Sequence, residues 1–267
     1  MQSIYQALAE LEKNNGTAAL CTVTGSEGST PRHVGSKMLV YPDGNFIGTV
    51  GGGELENRII KAALESIKNE SAQTLSYNMA DPSRGDPGVC GGQVEVFVEP
   101  ILPAPLLVVI GAGHVGKAVV HLAKWLGYRV ALSDDRAEFC NPESTPNADA
   151  YYPVAMSELP NQITIDKRTI LILTTRGSAI DAAGLSPLLD SAQRAAYIGV
   201  IGSKRRWATT VKALKEKGIS EDKIAKVHSP MGLELQAETP EEIAVSIMAE
   251  VMMIKDKGTG KSMKSSG

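Results

Sequence analysis

The chain has 267 residues and a formal net charge of −3, with a pI near 5.9. That length suits two domains of ordinary size, each able to bury its own core. An acidic balance and an aromatic content of only 4% exclude a nucleic-acid footprint, which needs a basic surface and rings for stacking.

In chain order, Ser3 is placed to cap a helix whose apolar residues Ile4, Ala7, Leu8 and Leu11 share one face, and Asn14, Asn15 and Gly16 end it. The start of the chain mixes acidic and apolar residues and lacks the basic, then apolar, order of a leader. No apolar run is long enough to span a bilayer. Three cysteines, Cys21, Cys90 and Cys140, are odd in number and far apart, which fits free thiols in a reducing compartment. A soluble cytoplasmic protein with no membrane partner is the expectation.

Residues 18–23 read as a buried strand. Residues 25–35, GSEGSTPRHVG, are too rich in Gly and Ser for a regular element and carry Arg32 and His33. Residues 37–40 and 46–50 flank the turn Pro42, Asp43, Gly44, Asn45, the pattern of a hairpin. Gly51, Gly52 and Gly53 run straight into a helix with the apolar stripe Ile59, Ile60, Ala63, Leu64 and Ile67. Residues 73–78 and 93–98 read as two further strands around a glycine-rich loop. This gives a small α+β domain, residues 1–100, and residues 101–105, ILPAP, form a proline-bearing linker.

The stretch 106–136 organises the rest. An apolar run meets Gly111, Gly113 and Gly116 in GxGxxG spacing, continues as a helix, and is followed by a second apolar run ending at Asp134 and Asp135. Strand, glycine turn, helix, strand and acid in about thirty residues is the unit that holds a dinucleotide, with phosphate on the helix N-terminus. Residues 169–174 and 196–200 read as further strands, residues 179–189 and 205–217 as helices, residues 224–227 as a last strand, and residues 240–254 as a last helix capped by Thr239. The fold class is therefore α/β: a small α+β domain with glycine-rich loops, then a Rossmann-like parallel-sheet domain over residues 106–254. The tail, residues 255–267, reads as disordered. Its Gly260, Lys261 and Ser262 end a P-loop pattern by coincidence, since Lys255 stands where the first glycine is required.

Several residues could carry chemistry. Gly51, Gly52 and Gly53 offer free amides and a helix dipole to an anion, with Arg32 and Lys37 as countercharge; equally, three glycines can be a flexible connector. Glu54 and Glu56 would repel a phosphate and must face elsewhere or serve another role. Cys90 stands in a loop beside Gly91 and Gly92, where a thiol could ligate a soft metal or carry sulfur, although a packing residue at a turn is the commoner case. His114 lies within the GxGxxG and either touches a ligand phosphate or covers the turn. Asp134 or Asp135 is placed for a ribose, or caps a strand end. Arg176 and Asp181 follow a strand end where such folds form a ligand crevice, as do Ser203, Lys204 and Arg205; Lys204 and Arg206 read as a solvated basic turn. No Ser, His and Asp set, nucleophile elbow, CxxC or HExxH is present.

Taken together, GSTPRHVGSKMLV, GTVGGGELE, GVCGGQVEVFVEP, the Rossmann opening, YIGVIGSKRR and SPMGLELQAETPEEIAVSIMAEV resemble the xanthine dehydrogenase accessory family of the XdhC/CoxI type. The resemblance implies a maturation factor that binds the molybdenum cofactor (molybdopterin) as cargo, supports its sulfuration with a cysteine desulfurase, and delivers it to an apo molybdenum hydroxylase. A homo-oligomer is expected. The resemblance makes Cys90 the candidate contact to molybdenum or its sulfido ligand, and carries over Gly51, Gly52, Gly53 and Glu54 as family motif positions. Many relatives have a His-containing segment after the third Rossmann strand, where this chain has Arg176, Gly177 and Ser178. The competing reading is an NAD(P)-dependent oxidoreductase built on the Rossmann unit, for which no proton donor is evident; a third is a pure scaffold.

Overall fold

The computed structural model describes residues 3–79, 86–88 and 91–264. The chain divides into two compact units, residues 1–103 and 104–267.

The first unit is a five-stranded antiparallel sheet with one helix on each face. Its strands are β1 (Ala18–Glu27), β2 (Lys37–Val40), β3 (Phe46–Gly48), β4 (Gln73–Asn78) and β5 (Gln93–Ile101), in the order β3-β2-β1-β5-β4. Period-two alternation decides which face each residue serves. Cys21, Val23, Met38, Val40, Val94, Val96 and Val98 pack under Leu55, Ile59 and Ala63 of α2 (Gly53–Asn69). Ala18 and Leu39 on the opposite face pack with Ala7 and its partly buried neighbours Ile4, Leu8 and Leu11 of α1 (Ile4–Lys13). Ser3 caps α1 in a reciprocal capping box with Gln6.

Two strand limits correct the sequence reading. β1 does not stop at Val23: after a register shift between Val23 and Gly25 it pairs on as far as Glu27 with Gln93. A bulge absorbs the irregular glycine, so pairing with β5 overrides local composition. β5 likewise runs through Pro100 to Ile101, opposite Ala19 and Ala18. Proline is tolerated there because β4 ends at Gln73 opposite Val98, which leaves that side of β5 as a sheet edge.

The second unit carries five parallel strands, β6 (Leu106–Ile110), β7 (Arg129–Ser133), β8 (Ala150–Tyr152), β9 (Thr169–Leu173) and β10 (Tyr197–Val200), in the order β10-β9-β6-β7-β8. Counted from β6 this is the 3-2-1-4-5 order of a doubly wound dinucleotide fold. Both faces are covered, which is why the central strands read as continuous apolar runs. Leu107, Val109, Leu132 and Ile172 pack against α3 (His114–Trp125) and α7 (Pro240–Lys255). Val108, Ile110, Leu171 and Leu173 pack against α4 (Ser178–Ser191) and α5 (Lys204–Glu216).

The expected last strand at residues 224–227 is not one. The short helix α6 (Glu221–Ile224) occupies its start, and only His228 makes a single parallel bridge, to Gly199. Ile224 and Val227 are still buried, so the apolar pattern reported burial and not strand geometry. The three-residue strand β8 had no usable sequence signal; it is held mainly by its ladder with β7. Among the described residues no helix is long and apolar enough to cross a membrane.

Candidate functional site

The GxGxxG sits in the turn from β6 to α3, and its three glycines do different things. Gly111 has φ +115, and a Cβ there would lie 2.6 Å from the Thr174 carbonyl oxygen. At Gly116 a Cβ would lie 1.9 Å from the Gly111 carbonyl oxygen, so this glycine lets helix meet loop. Gly113 is the N-cap of α3 with an ordinary φ of −75, has no side-chain cap, and a Cβ on it would meet nothing within 4 Å. It borders open space beside unbonded amides, the place for an anion.

That space is a cleft of about 220 Å³ at the carboxyl ends of β6, β7 and β9. Its apolar wall includes Val154, Met156, Ile180 and Ala183, and its polar wall Ser133, Asp134, Asp135, Arg136, Thr175 and Arg176. Asp134, one of the two candidate ribose residues, lines the cleft but is fully committed. Its Oδ2 accepts from the Ala112 amide at 2.7 Å and Arg136 Nη2 at 2.9 Å, and its Oδ1 accepts from the Arg136 amide at 3.0 Å and Nε at 2.8 Å. Four bonds fill the four lone-pair positions of a carboxylate. Burial alone would raise its pKa, but the Arg136 guanidinium and the two amides outweigh that and hold it down at about 2. Arg136 also lies over the Phe139 ring, 4.2 Å from its centroid.

Asp135 differs. It is half exposed and, among the described residues, accepts only from Arg176 Nη2, at 2.8 and 3.0 Å, in a pair joining the ends of β7 and β9. Ser133 differs in the opposite sense. It is fully buried and lines the cleft, and its Oγ has no hydrogen-bond partner among the described residues.

Behind the cleft, Asp181 is completely buried in the first turn of α4. Arg206 donates to Asp181 Oδ2 from Nη2 at 2.7 Å and Nε at 3.1 Å, and to Thr175 Oγ1 at 2.7 Å; the Thr175 hydroxyl donates to Asp181 Oδ1. The expectation of a solvated Arg206 is therefore wrong: its position one turn into α5 points it back at the β9 to α4 turn. Lys204 is exposed, as expected.

In the first unit the glycine loops adjoin. A Cβ on Gly28 would lie 3.2 Å from Gly92 Cα, and one on Gly51 2.9 Å from Pro31. Gly51, Gly52 and Gly53 have φ of +154, +87 and +60, and α2 starts from Gly52 without a side-chain cap. Beyond Gly52 and Gly53 a Cβ would find open space. Arg32 is exposed in the neighbouring loop. Glu54 turns along the helix to Arg58 at 3.2 Å, and Glu56 accepts from the Thr49 hydroxyl at 2.5 Å and the Val50 amide at 3.3 Å. Glu56 thus braces the loop, which is the other role the sequence left open. Cys90 lies outside the described residues. His114, exposed at the first position of α3, borders a groove with His121 and Pro240 and not the cleft. Among the described residues no group of three or more His, Cys, Asp or Glu could hold a metal ion.

Sequence reasoning missed Ser133, Arg136 and the Val154 to Ser157 wall. Arg136 had a signal in its i, i+2 spacing from Asp134. The wall had none, since it follows the unpredicted β8.

Comparison with known proteins adds to this geometry. The sequence matches the XdhC Rossmann domain family over residues 107–251 and the XdhC and CoxI family over residues 11–78. The uncharacterized protein YqeB of Escherichia coli K12 is 33% identical over 266 residues, covering 98% of this chain and 48% of that protein. A protein of Bacillus subtilis described as a probable xanthine dehydrogenase component is 28% identical over 162 residues, 61% of this chain and 46% of that protein. This chain thus spans about half the length of these two relatives. The molybdenum cofactor insertion chaperone PaoD of Escherichia coli K12 is 23% identical over 287 residues, 95% of this chain and 88% of the chaperone. A xanthine dehydrogenase crystal structure from Bacillus halodurans shares the fold, with a TM-score of 0.51 and 21% identity over 99% of this chain and 98% of that one.

Proposed function

Since the chain belongs to the XdhC and CoxI family, we propose that it binds the molybdenum cofactor and passes it to an apo-enzyme of the xanthine dehydrogenase type, acting by binding and release. The observation that carries this reading is the set of glycine-capped helix starts, at Gly52 in the first unit and at Gly113 and Gly177 in the second. None of the three has a side chain on its amides, and open space lies beyond Gly53, Gly113 and Gly177, although the first turn of α4 also carries the buried Asp181. Cargo with phosphate at one end needs such amides, because helix N-termini bind anions without desolvating a buried charge. By contrast α1, α5 and α7 are closed by side-chain caps at Ser3, Ser203 and Thr239.

In this reading the first unit's glycine loops, with Arg32, hold the pterin phosphate, and Cys90 contacts the metal end, where a cysteine desulfurase would renew the sulfido ligand. The Rossmann cleft takes a nucleotide, as part of the cargo or as a separate ligand. The cleft lining supports a carrier over a dehydrogenase: among its described residues there is no His, Tyr, Lys or Cys to move a proton, and both mouth carboxylates are held by arginines.

The test is anaerobic purification from a host that makes molybdenum cofactor, with molybdenum, pterin and NAD(P) quantified in wild type and Cys90→Ala. Near-stoichiometric pterin that falls with the cysteine is expected. Absence of pterin from the wild type, with molybdenum hydroxylases fully active in cells lacking the protein, would overturn the carrier.

A further inference from the structure

We infer that the Rossmann cleft is a site for a nucleoside 5′-diphosphate with a free ribose diol, and that Asp135, not Asp134, reads that diol. The inference rests on the reading that a nucleotide occupies the cleft and adds which one and through which residue.

Three observations carry it. The first is saturation: Asp134 already accepts four hydrogen bonds, from the Ala112 amide and from three donors of Arg136. To bind a sugar it would have to release the glycine loop that shapes the phosphate place. Among the described residues Asp135 accepts from one guanidinium nitrogen only, and it stands half exposed at the same rim. An exposed ion pair of this kind contributes little to stability, so a ligand exchanges it readily. When it opens, Asp135 gains two acceptor oxygens for vicinal hydroxyls.

The second is charge balance. Arg136 faces Asp134 and Arg176 faces Asp135, so the two mouth arginines are matched by two carboxylates and the rim has no surplus positive charge for a phosphate on the sugar. A 2′-phosphate beside Asp135 would meet repulsion, which disfavours 2′-phosphorylated dinucleotides against those with a free diol. The third is Ser133, fully buried in the cleft lining with an unpartnered Oγ among the described residues. A buried hydroxyl without a partner is disfavoured, and a polar ligand group supplies one. The apolar wall of Val154, Met156 and Ile180 faces the same space and suits a base.

The test is calorimetric titration of the full-length protein with ADP, CDP, their 2′-deoxy counterparts and adenosine 2′,5′-bisphosphate. Wild type is expected to bind a ribonucleoside diphosphate about tenfold more tightly than its deoxy form, the factor typical of hydrogen bonds to a charged group, and the 2′-phosphorylated nucleotide no more tightly. Asp135→Asn, at an exposed position, is expected to fold normally and bind ribo and deoxy forms equally. Asp134→Asn is expected to weaken both forms alike while keeping their ratio. Nucleotide binding with an unchanged ribo to deoxy ratio in Asp135→Asn would overturn the assignment and leave the nucleotide reading standing. No binding of any of these nucleotides by wild type would overturn both.

Discussion

At the scale of single residues, Gly113 and Gly116 show that one motif contains positions of opposite kind. Gly116→Ala would drive a methyl to within 1.9 Å of the Gly111 carbonyl oxygen, and neither helix nor loop can yield that distance. Its expected cost is about 3 kcal/mol or more, the range of severe overpacking, visible as a lowered denaturation midpoint. Gly113→Asp meets open space at an ordinary φ, so its melting temperature should stay close to wild type while nucleotide binding is lost. The two described cysteines are both of the closed kind. Burial pushes the Cys21 thiol up to about 12, and Cys140 is buried with its Sγ donating to the Leu132 carbonyl at 3.3 Å. Both should resist alkylation at pH 8 in native protein and react only after unfolding, which mass spectrometry of labelled peptides would report.

At the scale of elements, two arginine–aspartate sets tie loops to strand ends, and their exposure decides their worth. Asp181 is wholly buried against Arg206 and Thr175, joining α5 to the β9 to α4 turn. Arg206→Ala would leave that carboxylate uncompensated and is expected to cost about 3–5 kcal/mol in urea unfolding. Asp134 pins the loop after β6 to the end of β7, with a folded-state pKa of about 2 against an ordinary 3.8. A depressed carboxylate contributes stability that is complete above the ordinary value and is lost as pH falls through the folded one. Stability should therefore decline between about pH 4 and pH 2, and Arg136→Gln should flatten that decline because the pKa difference shrinks. Acid titration of the melting temperature for both proteins checks it.

At the scale of the molecule, the two units carry separate anion-ready helix starts, and the proposed function assigns them separate ligands. Gly53 has φ +60, a region Asp tolerates, and its Cβ would meet nothing within 4 Å. Gly53→Asp should therefore fold yet place a carboxylate at the start of α2. It is expected to lower pterin retention with nucleotide affinity unchanged, whereas Gly113→Asp should remove nucleotide binding first. Loss of both ligands in both variants would show that one site, not two, serves this protein.

The sequence by itself determined the elements whose periodicity is strong and the turns whose chemistry is local. The capped α1 and α7, the β2 and β3 hairpin, and the strand, glycine turn and helix of residues 106–125 all follow from spacing and capping residues. Local signals suffice for the helices because their backbone bonds are satisfied within a few residues, and β6 is legible because burial on both faces makes it a continuous apolar run. Only the tertiary structure decided what depends on distant partners: that β1 continues past Gly25 along β5, that β8 exists, and that Ile224 and Val227 are buried without forming a strand. It also decided between Asp134 and Asp135. The two are neighbours of identical chemistry, and what separates them is the three donors of Arg136 and the Ala112 amide 22 residues before one, against the Arg176 guanidinium 41 residues beyond the other. Hydrogen bonds saturate, so the carboxylate that the fold fills first is the one a ligand no longer finds.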